Sequence, residues 1–222
     1  MHRLFVDTAN LGDIKSTFKR GAVSGVTTNP SLMAKEPKTN YVEHMRHICD
    51  IIKDHDTPPL SVEVFCSDPS LIYKQALELI EQINYPNINI KIPVGSAELT
   101  VINKLASEGV RVNCTCCFTT SQLCQAALAG SRYVSLFYNR ARDSGEDVYR
   151  TLSTTASVIK ENNLDCEIIA GSIRSYVDVT DAWASGCHVV TAGRDVIEAG
   201  LKHPGTDASV EGFLNDFSDW IE

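Results

Sequence analysis

Short β-branched or apolar runs alternate with longer amphipathic segments along the whole 222-residue chain. Eight such runs occupy residues 4–8, 24–28, 60–65, 88–92, 111–116, 133–137, 166–170 and 189–192. Each has the length of a strand, and the segments between them carry helix start and stop signals. Asp68-Pro69 opens a helix that continues through Leu79-Ile80. Ser96 begins another that ends near Glu108, with Gly109 as its stop. Thr119 or Thr120 caps a third, which ends at Gly130; residues 146–162 and 175–185 follow, the latter closed by Gly186. Strand then helix, repeated eight times, predicts an α/β fold of the (β/α)8 barrel type. The chain is slightly shorter than the ~250 residues typical of that fold, which implies short loops. A doubly wound open sheet competes, but no Gly-x-Gly-x-x-Gly follows the first run.

No linker or composition shift suggests a boundary, so one domain is expected over residues 1–222. A last segment, 209–221, exceeds the eight repeats and reads as an extra C-terminal helix. Its Val210, Phe213, Leu214, Phe217 and Trp220 fall on one helical stripe, which either packs on its own barrel or reaches a neighbouring subunit.

Composition narrows the function classes. A formal net charge of -8 argues against a general affinity for nucleic acid or anionic membrane. No apolar run approaches the ~18 residues that a membrane helix needs. The first residues, Met1 to Asp7, lack signal-peptide anatomy, so a cytoplasmic location is expected. The eight cysteines read as free thiols of a reducing compartment. Cys114-x-Cys116-Cys117 has no second cluster at finger-like spacing and lies in a strand, so no metal is expected there.

Side chains alternate along a strand, and the outer face of a barrel strand packs on helices. The apolar parity of each run therefore faces outward. The inner face then carries Asp7, Glu63, Lys91, Asn113 and Thr115, all in the later half of their strands. That is the C-terminal mouth, where barrel enzymes build active sites. Taken singly, a strand lysine or carboxylate usually points to water. A cation, two carboxylates, an amide and a hydroxyl converging on one rim are better explained by mutual compensation of buried charge. A lysine in that setting has a chemical use, since its neutral amine attacks a ketone to form a Schiff base. Burial favours the neutral amine, whereas ionised Asp7 and Glu63 oppose it. Glu63 with Thr115 could hold a water for dehydration of the carbinolamine, which leaves Asp7 as the base for making or breaking a C–C bond.

Five stretches occur in an order that is familiar: Val6-Asp7-Thr8-Ala9, Gly25-Val26-Thr27-Thr28-Asn29-Pro30-Ser31, Ile90-Lys91-Ile92-Pro93, Val112-Asn113-Cys114-Thr115 and Ala170-Gly171-Ser172-Ile173-Arg174. Together they resemble the small-subunit transaldolases and the fructose-6-phosphate aldolases over essentially the whole chain. The Gly-Val-Thr-Thr-Asn-Pro stretch is the most specific of them. The resemblance implies a cofactor-free class I aldolase barrel with Lys91 as the Schiff-base lysine and Asp7 as the acid/base at the substrate's C4 hydroxyl. It implies that Thr27, Asn29, Asn113 and Ser135 hold substrate hydroxyls. It also implies that Arg140, Ser172 and Arg174 grip a terminal anion. Two guanidiniums and a hydroxyl are matched to a tetrahedral oxyanion.

Two positions divide the family. Fructose-6-phosphate aldolases resemble one another in carrying Gln and Tyr where this chain has Glu63 and Phe137, and transaldolases carry Glu and Phe. The reading that follows is transfer of a dihydroxyacetone unit from a ketose with an anionic terminus to an aldose. The alternatives are an aldolase that releases free dihydroxyacetone and a non-catalytic sugar-phosphate-binding barrel. Transaldolases usually read Ser-Pro-Phe-Val-Gly-Arg where this chain has Ser135-Leu136-Phe137-Tyr138-Asn139-Arg140. Tyr138-Asn139 is therefore expected to add bulk and polarity beside the anion grip. This leaves a sugar phosphate and a sugar sulfonate, as in the sulfofructose transaldolases, both open as the donor. Resemblance further implies a homo-oligomer, a pentamer or a decamer, with the C-terminal helix at the contacts.

Overall fold

The structure is a computed structural model and describes residues 2–221. The first half of the chain runs β1 (Arg3–Asp7), α1 (Leu11–Lys19), β2 (Val26–Thr27), α2 (Pro30–Met33), α3 (Tyr41–Ile52), β3 (Leu60–Glu63), α4 (Pro69–Ile83), β4 (Ile88–Pro93) and α5 (Ser96–Ser107). It continues with β5 (Val112–Cys117), α6 (Thr120–Leu128), β6 (Tyr133–Phe137), α7 (Tyr138–Asp143), α8 (Val148–Glu161), β7 (Glu167–Gly171), α9 (Tyr176–Ala184), β8 (Val189–Ala192), α10 (Arg194–Ala199) and α11 (Pro204–Ile221). Every strand pairs in parallel with the next, and β8 pairs with β1, so the sheet closes in the order of the sequence. This is the (β/α)8 barrel that the alternation predicts.

The start signals work as their chemistry requires. The Asp68 side chain accepts from the Ser70 and Leu71 amides at the head of α4, with Pro69 in the first turn, where its missing N–H costs nothing. Thr119 and Gln122 form a reciprocal capping box on α6. Gly109 and Gly186, read as stops, take φ of +83° and +90° after α5 and α9. Helices α1, α2, α3, α7 and α10 lie outside the segments predicted from the sequence. The head of α7 offers no capping signal, because it follows β6 directly and Phe137 makes no side-chain cap.

The outward parity is apolar and buried, as in Ile88, Ile90 and Ile92 of β4 against the helical layer. The inward parity is layered. Phe5, Tyr133, Ile169 and Val189 fill the barrel interior as a separate apolar cluster. Above it, toward the strand C-termini, the inward residues turn polar.

One strand breaks its alternation. The register of β5 on β6 shifts between Cys114 and Cys117, and Cys116 takes φ +59°. Parity had placed Cys116 on the outer face with Cys114. The irregularity turns it to the mouth instead, a local bulge at the polar rim of the barrel.

Helix α11 begins at Pro204, earlier than the expected 209, and its described side chains are all exposed. Its apolar stripe does not pack on its own barrel: Phe213 and Trp220 are 71% and 78% exposed. No described helix is long and apolar enough to cross a membrane.

Candidate active site

Sheet register sets the neighbours around the mouth. Asp7 stands beside Thr27, Glu63 beside Lys91, and Lys91 beside Asn113. Parity then points these side chains into one cavity of about 270 Å³ at the C-terminal end of the barrel. Of the twelve residues singled out from the sequence, all but Arg174 line it.

Lys91 is the centre of the arrangement and only 6% exposed. Its Nζ lies 2.8 Å from Glu63 Oε2 and donates to the Thr28 carbonyl at 2.7 Å. A buried ammonium thus has a carboxylate and a carbonyl as partners, which offset the cost of taking it out of water. Glu63 therefore meets the lysine directly.

Thr27 donates to Asp7 Oδ1 at 2.6 Å, and its oxygen lies 2.6 Å from the Thr191 hydroxyl. Burial pushes the Asp7 carboxyl above its ordinary value, opposed by the Lys91 ammonium and the Thr27 hydroxyl. On the other side of the lysine, Ser135 donates to Asn113 Oδ1 at 2.6 Å, and Asn113 Nδ2 donates to the Ser61 hydroxyl at 3.2 Å. Thr115 is buried on the same wall. Asn29 Oδ1 is engaged as the cap of α2, accepting from the Leu32 amide.

The two arginines are not brought together. Arg140 lines the cavity with its guanidinium over the Phe137 ring, 4.8 Å from the centroid. Arg174 stands outside it, exposed and paired with Asp143 at 2.5 Å. It lines a broader outer cleft of about 830 Å³ with Lys35 and Arg194, and Asp7 is shared by both cavities. Ser172, which lines the inner cavity, takes φ +59°.

Tyr138 and Asn139 are fully buried and line neither cavity, so the expected bulk beside the anion grip lies beneath it instead. Sequence reasoning missed Thr191 and Cys116 as lining residues. Parity in β8 could have found Thr191, since it shares the inward face of Val189. Nothing in the alternation announces Cys116. Burial, and next the Glu63 carboxylate, push its thiol above the ordinary range.

The cavity therefore holds a buried amine, two carboxylates of different surroundings, and a wall of amide and hydroxyl groups suited to a polyol. Among the described residues no group of three or more His, Cys, Asp or Glu side chains is placed to hold a metal ion.

Comparison with known proteins agrees with this geometry. The sequence model of the Transaldolase/Fructose-6-phosphate aldolase family matches residues 4–220. A probable transaldolase of Dehalococcoides mccartyi is 38% identical over 215 residues, covering 97% of each chain. A probable transaldolase of an Exiguobacterium species is 38% identical over 216 residues, again 97% of each. Probable transaldolase 1 of Bacillus cereus is 36% identical over 215 residues with the same coverage.

Proposed function

The chain belongs to the transaldolase/fructose-6-phosphate aldolase family, and from that premise we propose that it transfers a dihydroxyacetone unit between an anionic ketose and an aldose through a Schiff base on Lys91. The observation that carries this reading is the buried Lys91 Nζ 2.8 Å from Glu63, with Asp7 lining the same cavity.

In this reading Glu63 takes a proton from the ammonium, and the neutral amine adds to the ketose C2 carbonyl. Glu63, with Thr115 beside it, returns the proton to the carbinolamine oxygen, which leaves as water. Asp7 then accepts the C4 hydroxyl proton, the C3–C4 bond breaks, and its electron pair moves into the enamine while an aldehyde departs. An acceptor aldehyde reverses the sequence: the enamine carbon attacks it, Asp7 returns the proton to the new alkoxide, and water hydrolyses the imine. Asn113 and Ser135 on one wall, and Thr27 and Asn29 on the other, orient the hydroxyls. Arg140, Ser172 and Arg174 bind the terminal anion. Arg174 reaches it by exchanging Asp143 for the ligand. These steps need no cofactor, and we read the protein as cytoplasmic, with residues 1–222 forming one domain. Glu63 and Phe137 favour transfer over release of free dihydroxyacetone, because Phe137 offers no hydroxyl near the enamine.

The charge around the anion grip supports a second reading of the donor. Asp143 already neutralises Arg174, and among the described residues Arg140 is the one cation that lines the inner cavity beside Lys91. A singly charged sulfonate suits such a grip as well as a phosphate does.

Borohydride trapping tests the whole reading. The enzyme is incubated with fructose 6-phosphate or with 6-deoxy-6-sulfofructose and then reduced. The expected result is irreversible inactivation and a reduced three-carbon adduct on Lys91 by peptide mass mapping, absent in Lys91→Met. The donor that traps faster identifies the tail group. Labelling of another lysine, or none, overturns the assignment. Free dihydroxyacetone accumulating at the rate of donor loss, without acceptor, favours the aldolase instead.

The exposed stripe of α11 is read as the contact with a second copy of the chain in a homo-oligomer. The pentamer or decamer implied by resemblance remains part of this proposal.

A further inference from the structure

Asn139 stands where the resembling transaldolases carry glycine, and its side chain is fully buried. It lies in the first turn of α7, one residue before Arg140. Its Nδ2 donates to the Ser172 carbonyl at 3.0 Å and to Asp178 Oδ2 at 2.9 Å. Asp178, also buried, accepts on the same oxygen from the Arg174 amide at 3.2 Å and the Ser175 amide at 2.9 Å. Arg142 completes the cluster, donating to Asp178 Oδ1 at 3.0 Å and to Asn139 Oδ1.

One buried amide therefore ties together two elements that hold the opposite halves of the anion grip. Helix α7 carries Arg140, and the turn between β7 and α9 carries Ser172 and Arg174. Ser172 sits in the left-handed region at φ +59°, which a side chain with a Cβ resists. Such a conformation persists only where its surroundings over-determine it. Bonds to its own carbonyl and to the Arg174 amide, two residues on, do that.

We propose that Asn139 and Asp178, braced by Arg142, are positioning residues that fix the spacing between Arg140 and the Ser172–Arg174 turn, and so set affinity for the donor's anionic terminus. The inference rests on the reading of those three residues as the anion grip. None of the three braces touches substrate. Their effect passes through the backbone of Ser172 and Arg174.

The test compares KM and kcat of wild type, Asn139→Ala and Arg142→Ala on fructose 6-phosphate and on uncharged fructose. Misplacing a positioned group by about an ångström costs up to roughly a hundred-fold. Asn139→Ala is accordingly expected to raise KM for the charged donor about ten-fold or more, with kcat at saturation changed less than about two-fold. KM for fructose should stay put. Arg142 is half-exposed, so Arg142→Ala should fold even if Asn139→Ala does not, and it should show the same split in smaller measure. A loss shared by charged and uncharged donors, or no change of KM in a folded variant, overturns the clamp. Wild type that does not prefer the charged donor overturns the anion grip itself, and the clamp with it.

Discussion

Thr27 has one hydroxyl proton and two close oxygen neighbours, Asp7 Oδ1 and Thr191 Oγ1, each at 2.6 Å. When Asp7 is ionised that proton belongs to the carboxylate, so Thr191 must donate to Thr27. The chain Thr191–Thr27–Asp7 then runs in one direction and polarises toward the carboxylate. Burial raises the Asp7 pKa, and the Thr27 bond is one of the contacts that lower it again. Removing the bond therefore moves Asp7 further up. If ionised Asp7 is the base, the acidic limb of kcat/KM moves to higher pH. A hydrogen bond to a charged group is worth about 1.5–3 kcal/mol, which corresponds to roughly ten- to a hundred-fold in kcat/KM below the limb for Thr27→Val. Thr191→Val keeps the volume and deletes only the far donor, so its limb should move the same way by less. pH profiles of both variants decide it, and limbs that stay where wild type has them would remove Thr27 and Thr191 from the acid/base machinery.

At the scale of elements, the barrel was legible because closure repeats one simple rule. The apolar parity of every strand packs outward, and the polar inward residues late in β1, β3, β4 and β5 then face the mouth. That logic puts Lys91 and Glu63 on one rim, and the register of β3 on β4 makes them neighbours. It failed where an element departs from its period. Cys116 left the outer face because β5 bulges, and a bulge is set by pairing with β6, which local sequence does not encode. The directions of Arg174 and Asn139 are hidden for a related reason: the partners that decide where they point, Asp143 and Asp178, are 31 and 39 residues away. Gly25, just ahead of β2, shows the converse, a local residue with a long-range purpose. A Cβ on Gly25 would stand 2.5 Å from the Phe5 ring, which is fully buried and edge-on to Tyr133. Phe5 lies two residues below Asp7 on the same inward face, so the glycine that opens the Gly-Val-Thr-Thr-Asn-Pro stretch makes room for the floor of the site. Gly25→Ala should overpack this layer at a cost of about 1–3 kcal/mol. For a chain of this size that lowers Tm by roughly 2–12 °C. Phe5→Leu in the same background should recover much of the loss. Calorimetry on the single and double variants checks this, and an undiminished Tm in Gly25→Ala would show that the ring has somewhere else to go.

Across the whole molecule, the barrel buries most of its apolar side chains, and α11 buries none of those described. Phe213, Leu214, Phe217 and Trp220 stand exposed along one helix, with Phe217 and Trp220 stacked at 5.7 Å. Burying four such side chains yields on the order of 6–12 kcal/mol at about 1.5–3 kcal/mol each. Association costs an estimated ~4–15 kcal/mol in lost translation and rotation. One docked helix is therefore marginal as the basis of a dimer. A closed ring changes the balance: every subunit gives a helix and receives one, so the last contact forms without a further loss of free translation. The expected outcome is that light scattering after size exclusion finds a single large species for wild type and no population of dimers. Leu214→Asp with Phe217→Asp places two carboxylates in the contact and should convert that species to monomer at micromolar concentration. Because no described residue of α11 lines the cavity around Lys91, the monomeric variant should retain a borohydride-trappable Lys91. A wild type that runs as a monomer would show that the stripe serves some contact other than a second copy. A double variant that keeps the wild-type mass would place the subunit interface elsewhere on the barrel.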